Sequence, residues 1–377
     1  MRQSVDRSRD PMIAVARAFL EGQPLRHAMR AVAALDWEAT VARAENERLA
    51  PILYIALRGG AAPAPILARL RATWMAAERQ QLLAGKQLRD IVGAFGKAGI
   101  QTIVLNGPAL AASYYPDPAL RPFIDLDLLV RRADRERALG ILCERGYTHE
   151  SPGRSLEHVP AAYLAAPSGS GLLPVDLHWE CVAESAGRAA EQAAEEIWSR
   201  AVPAPAWGAA ARTLAPEDLL IYLAANFAIH HTLTGALWQL DLALVLRRHR
   251  GTLDWDAIAA RARRWGAASA VYFGLRSVGD HLGVPAPTPT MNRLRPGELR
   301  VTLIDRLQRP EVPGPARLEY LIGVAMLDRY SDIARTLASG LVPPPGWLRS
   351  RYDSRSIFAA YLTHYGRVAR SVARAML

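Results

Sequence analysis

Apolar residues recur at three- and four-residue intervals from Pro11 to about Gly93, as in Ile52, Leu53, Ile55 and Ala56, and again in Leu67, Leu70, Trp74 and Met75. That is the spacing of one helix face. Gly59, Gly60 and the Pro-Ala run to Pro65 divide the stretch, because both residue types punctuate helices. The period then changes. Residues 101–105 form a short β-rich run, 123–130 alternate, and 172–179 alternate again, with a helix-like stretch over 133–145 between the second and third. From about Ala183 the helical spacing returns and runs to the end, broken at 203–208, 285–289, 310–315 and 343–346, without an internal repeat. The pattern predicts an α+β protein: a helical region over 1–94, a small mixed-sheet core over 95–182, and a second helical region over 183–377.

Half of the 377 residues are apolar, enough for a sizeable core and against intrinsic disorder. Cys143 and Cys181 are the only cysteines, and neither has the spacing of a zinc site or a disulfide framework, which fits a reducing cytoplasm. The N-terminus lacks the basic, apolar, small-residue layout of a secretion signal, so no export is expected. The most apolar stretch, residues 219–246, is interrupted by Asn226, His230, His231, Gln239 and Asp241, and reads as a buried helix pair rather than a transmembrane segment. The net charge of +10 is carried almost wholly by arginine, since Lys86 and Lys97 are the only lysines. Such a field suits an anionic partner. From Trp347 onward, Arg349, Arg351, Arg355, Arg367, Arg370 and Arg374 stand against Asp353 alone, the pattern of a solvated basic helix face or of an RNA or membrane-surface contact.

Candidate chemistry lies in the alternating runs. On a strand over 123–130, Ile124, Leu126 and Leu128 share one face, and Asp125 and Asp127 the other. Two carboxylates side by side repel each other, and burying them is costly unless a cation sits between them, which points to Mg²⁺ or Mn²⁺. The later strand repeats the logic: Val175, Leu177 and Trp179 share a face, leaving Asp176 and His178 opposite. If the two strands are neighbours, Asp176 joins the pair, and three carboxylates can hold two metals. His178 is a candidate proton relay or structural hydrogen-bonding group. Upstream, Asn106, Gly107 and Pro108 follow the first β-rich run and precede a helix-like stretch over 109–115. Pro108 suits the first helical position, the amides of a helix start receive phosphate, and Gly107 would let a phosphate approach. His230 and His231 read as interhelical histidines within one helix, and Trp238, Trp255 and Trp265 as core residues at helical spacing. Strand, glycine turn, helix, Asp-x-Asp strand, helix and a further Asp-bearing strand together form a layout for metal-assisted nucleotidyl transfer.

Residues 104–130, VLNGPALAASYYPDPALRPFIDLDLLV, followed by PVDLHWE at 174–180, resemble the uncharacterised bacterial nucleotidyltransferase family of the DNA polymerase β-like superfamily. Its hallmark is a Lys-Gly turn, an arginine ahead of Asp-(Ile/Leu)-Asp-Leu-Leu-Val, and a later Val-Asp-Leu-His-Trp. The resemblance extends to ARAENERLAPILYIALR at 42–58 and to LAPEDLLIYLAANFAIHH and WQLDLALVL after the core. It implies a nucleotidyltransferase core whose catalytic, metal-binding carboxylates are Asp125, Asp127 and Asp176, with Mg²⁺ or Mn²⁺ and an NTP donor. It also implies that Gly107 belongs to the nucleotide-binding turn and that Arg121 contacts phosphate or fixes the strand by an ion pair. The lysine usual before the glycine is Asn106 here, whose amide can bond a phosphate or sugar but brings no charge. Asp241 resembles another position the family keeps acidic. The expected function is transfer of a nucleoside monophosphate to an unknown acceptor, whether protein, peptide, RNA or small molecule. The alternatives are a catalytically weak nucleotide- or partner-binding module, and a peptide natural-product tailoring transferase using another activated donor.

Overall fold

The computed structural model describes residues 10–22, 36–59, 62–149, 161–181, 188–308, 315–341 and 356–376, with single positions at 345, 348 and 352. The front section is helical. Helix α1 (Pro11–Glu21) starts at Asp10, whose carboxylate accepts from the Met12 amide at 2.9 Å, and α2 (Trp37–Asn46) starts at Asp36, which accepts from Glu38 at 3.0 Å. Side-chain acceptors of this kind satisfy amides that a helix start leaves open. After α3 (Ala50–Leu57), α4 (Ala64–Lys97) begins with Pro65 in its first turn, where the missing N–H costs nothing. The break read from Gly59 to Pro65 lies between them. Gln87, buried in α4, donates to Tyr147 Oη and to the Leu173 carbonyl, both at 2.7 Å, and accepts from the Leu173 amide at 2.9 Å, which fastens α4 to the sheet.

Next come β1 (Thr102–Val104), α5 (Asn106–Tyr114), β2 (Leu126–Leu129), α6 (Arg135–Glu144), β3 (Thr148–His149), β4 (Ala161–Ala165) and β5 (Val175–His178). Then α7 (Arg188–Arg200), β6 (Val202–Pro203) and β7 (Ala211–Thr213) follow. Among the described residues the strands form one mixed sheet in the order β3-β4-β5-β2-β1-β7-β6. The three strands read from the sequence are its centre, each trimmed by a residue or more at both ends. The two-residue β3 and β6, and β4 and β7, are additions, and β6 and β7 interrupt the helical spacing expected after residue 183.

Alternation sorts the sheet into two faces. Leu126, Leu128, Val175, Leu177 and Trp179 pack with Leu88, Val92 and Phe95 of α4 in one core, while Ile103 and Leu129 join a second core built mainly from helices. Asp127, Asp176 and His178 therefore point to the helical side. Ile124 departs from the expected face: it is 58% exposed, because the chain bends at Ile124 and Asp125 and enters the ladder only at Leu126, paired with Val175.

The covering helices are α8 (Pro216–Ile229), α9 (Ala236–Arg248), α10 (Trp255–Arg264), α11 (Ala268–Leu282), α12 (Thr288–Leu294), α13 (Glu298–Leu307) and α14 (Pro315–Met326). The apolar stretch 219–246 is the expected helix pair, α8 and α9, and no described helix is long and apolar enough to cross a membrane. At Gly274 an added Cβ would lie 3.0 Å from the Ala224 carbonyl oxygen, so glycine sets how closely α11 crosses α8. Residues 327–377 form a separate compact unit with α15 (Tyr330–Leu341) and α16 (Ile357–Met376). Of the basic tail, Arg367 is exposed and lies over the Tyr352 ring at 5.2 Å. Arg349, Arg351 and Arg355, and the side chains of Arg370 and Arg374, lie outside the described residues.

Candidate active-site cleft

β2 and β5 are parallel neighbours with Asp127 directly opposite Asp176 and Leu129 opposite His178. The imidazole reaches back between the carboxylates: Nε2 lies 3.2 Å from Asp127 Oδ1 and 3.4 Å from Asp176 Oδ2. Ligand atoms of these three residues all fall within 4.8 Å of one another. Burial opposes charge on His178, but the hydrogen bonds to Asp127 and Asp176 outweigh it and push the ring up to about 10. The ring thus bridges the two carboxylates. Asp125, in the bend before β2, lines the same cleft of about 460 Å³ but stands outside the tight group of three. Burial, then repulsion from Asp127 and Asp176, raises its carboxyl to about 6. Among the described residues none of the three carboxylates has an arginine or lysine partner within 4.0 Å.

Asn106 opens α5 at φ 43°, a left-handed conformation that asparagine tolerates better than lysine. Its buried Nδ2 donates to Asp127 Oδ2 at 3.0 Å and to Tyr222 Oη of α8 at 2.8 Å, while Oδ1 is buried without a partner among the described residues. The amide that replaces the expected lysine thus orients the carboxylate of Asp127. The helix starts two residues earlier than Pro108 suggests, so Pro108 is its third residue. Gly107 has a packing reason that the sequence does not disclose. A Cβ there would lie 2.4 Å from Phe123 Cβ and 2.7 Å from its Cγ, so the space is taken by Phe123 rather than left for phosphate.

Arg121 is 1% exposed and belongs to Asp241 of α9. Nε donates to Oδ1 at 2.8 Å and Oδ2 at 3.0 Å, Nη2 donates to Oδ2 at 2.8 Å, and Nη1 donates to the Pro122 carbonyl. Tyr115 Oη donates to the same Asp241 at 2.7 Å. Of the two roles the sequence left open, the geometry is that of the ion pair, which ties the segment ahead of β2 to α9 and assigns Asp241 a partner.

Sequence reasoning missed the cleft's other wall. The spacing suggested one helix through His230 and His231, but α8 ends at Ile229, and a turn with Thr232 at φ 48° and Leu233 at φ 59° carries both histidines into the cleft lining. Trp238 also lines it rather than lying wholly in the core. His231 stacks on the Trp238 ring at 3.8 Å, and burial, then the charges of His230, Arg48 and Arg121, push its pKa down to about 4. Arg48, from the link between α2 and α3, lies over the same indole at 5.4 Å. Non-glycine residues at positive φ beside a cleft were a usable structural signal, but no residue type in the sequence marks them.

The donor set fits a divalent cation. Repelling carboxylates face one point, an orphaned amide oxygen at Asn106 lies beside them, and no guanidinium or ammonium among the described residues pairs with them. Comparison with protein-family models matches residues 33–283 to an uncharacterised nucleotidyltransferase family. No curated protein and no solved structure matches the chain.

Proposed function

The chain belongs to the uncharacterised nucleotidyltransferase family, and from that premise we propose that it transfers a nucleoside monophosphate from an NTP to an acceptor, with Asp125, Asp127 and Asp176 holding Mg²⁺ or Mn²⁺. The observation that carries the reading is the register of Asp127 opposite Asp176, with His178 bridging them on the face turned to the cleft. In the reaction the acceptor oxygen attacks the α-phosphorus, the bond from that phosphorus to the bridging oxygen breaks, and pyrophosphate leaves. A bound divalent cation supplies charge neutralisation at the phosphates and lowers the acceptor's pKa. The chain's own residues do the positioning. Asn106 and His178 hold the two oxygens of Asp127 in place, and Asp176, half-buried at the cleft wall, can hold the proton that the acceptor gives up. A nucleotide-binding module without turnover is favoured by one observation, the Asn106 amide in place of a cationic phosphate contact.

The test is thermal stabilisation by each NTP with and without Mg²⁺ or Mn²⁺, on the wild type and on Asp127→Asn and Asp176→Asn, because a ligand that binds only the folded state raises its melting temperature. A metal-dependent rise lost in both variants, with pyrophosphate released when acceptor is added, supports the transferase. Binding without pyrophosphate release shifts the assignment to the binding module, and no rise with any NTP overturns both.

A further inference from the structure

Arg48 is a half-buried arginine on the cleft wall whose guanidinium makes no hydrogen bond and no ion pair with any described residue. That sets it apart from the other buried charges of the fold. Arg121 is held by Asp241, Arg200 and Arg261 share Asp218, and Arg132 pairs with Glu180. A partly desolvated cation without an acceptor is costly to keep, and among the described residues the contact recorded for it is the Trp238 ring. Arg121 lies over the same ring at 5.1 Å, and burial, followed by Arg121, lowers the Arg48 pKa despite the carboxylates nearby.

Its backbone adds a second, independent cost. The α2 terminus is a Schellman motif, with the Leu49 amide donating to the Ala44 carbonyl at 2.7 Å and the Arg48 amide to the Glu45 carbonyl at 3.1 Å. Arg48 occupies the left-handed position at φ 59°, where glycine is the usual residue, asparagine is tolerated, and most other residues are strained by about 1 kcal/mol. A glycine would close the helix more cheaply, but it would place no side chain in the cleft.

Carboxylates line the same cleft. Asp125 and Asp127 raise the Arg48 pKa through space, yet neither comes within ion-pair distance of it. The cleft is therefore lined both by carboxylates, which favour a cation, and by a guanidinium without an anionic partner among the described residues. A polyphosphate carrying a divalent cation satisfies both at once, the guanidinium fork matching phosphate oxygens. Resting on the nucleotidyltransferase reading above, we propose that Arg48 is the phosphate-binding cation of this cleft, clamping the polyphosphate of the nucleotide and supplying the charge that Asn106 does not.

The experiment is isothermal titration of the full chain with each NTP, the matching nucleosides and inorganic tripolyphosphate, in Mn²⁺ and in its absence. The variants are Arg48→Lys, Arg48→Gln and Arg48→Asn, asparagine being chosen because it tolerates the left-handed conformation and should leave the fold intact. Loss of one charged clamp predicts about ten- to a hundredfold weaker NTP and tripolyphosphate binding in the asparagine and glutamine variants. A smaller loss is expected in lysine, with nucleoside affinity unchanged. Equal NTP affinity in wild type and in whichever neutral variant folds overturns the proposal, as does a lowered melting temperature with no change in affinity. If the wild type binds no NTP but binds tripolyphosphate through Arg48, the phosphate site stands and the nucleotide reading falls. If it binds neither, both fall.

Discussion

Replacing Arg121 with methionine separates the ion pair from the phosphate contact that the resemblance also allowed. The guanidinium is 1% exposed and its partner Asp241 0%, and three donor–acceptor contacts of 2.8–3.0 Å join them. Methionine fills much of the volume but leaves a buried carboxylate that, among the described residues, keeps the Tyr115 hydroxyl alone. Breaking such a pair costs about 3–5 kcal/mol, a large share of the roughly 5–15 kcal/mol that holds a domain folded. Removing both charges as Arg121→Met/Asp241→Leu costs less than the sum of the single changes, because no charge is then stranded, although Tyr115 Oη loses its acceptor. A coupling of roughly 2–3 kcal/mol is expected. Equilibrium urea unfolding of the two single variants, the double variant and the wild type measures it. A single-variant cost below about 1 kcal/mol, or no coupling, would refute a structural ion pair. Selective loss of NTP affinity with stability intact would return Arg121 to the phosphates.

Two further predictions follow from the cleft. Because Asp125 is raised from 3.8 to about 6 in the fold, the native state binds more protons than the unfolded chain in that window, and its stability falls as pH rises through it. In chelator, Asp125→Asn should be more stable than wild type by about 1–2 kcal/mol near pH 7.5, after discounting for solvent screening, with the gain shrinking to roughly a third near pH 4.5. Thermal unfolding at the two pH values checks this, and a pH-independent difference would exclude carboxylate repulsion as the cause. Gly107→Ala should cost about 1–3 kcal/mol, because its Cβ would sit 2.4 Å from Phe123 Cβ, and Gly107→Ala/Phe123→Ala should recover part of that loss. An unchanged melting temperature for the single variant would mean that Phe123 does not occupy that space.

The sheet centre and its polar face were legible because alternation carries two facts at once, the element type and the side on which the polar residues fall. It could not say where pairing begins. Asp125 and Asp127 look equivalent in the sequence, yet β2 starts at Leu126, so Asp127 is fixed by the ladder while Asp125 sits in a bend beside an exposed Ile124. The two-residue strands β3 and β6 carry too few residues for a period to register, and the pairing partner identifies them.

The cleft's helical wall was hidden for a different reason. Helix ends are read from glycine, proline and caps, and between Pro216 and Gly235 none marks the stop after Ile229. Thr232 and Leu233 take up left-handed conformations that their residue types disfavour, and Arg48 does the same at the end of α2. In both places the chain accepts local strain and gains a side chain in the cleft: His230 and His231 beyond α8, and Arg48 in the cleft that the carboxylates also line. The lysine absent at residue 106 therefore need not leave the cleft without a fixed positive charge. At position 106 the left-handed backbone suits asparagine, whose amide secures Asp127 and Tyr222, and the positive charge enters the cleft from a different segment of the chain.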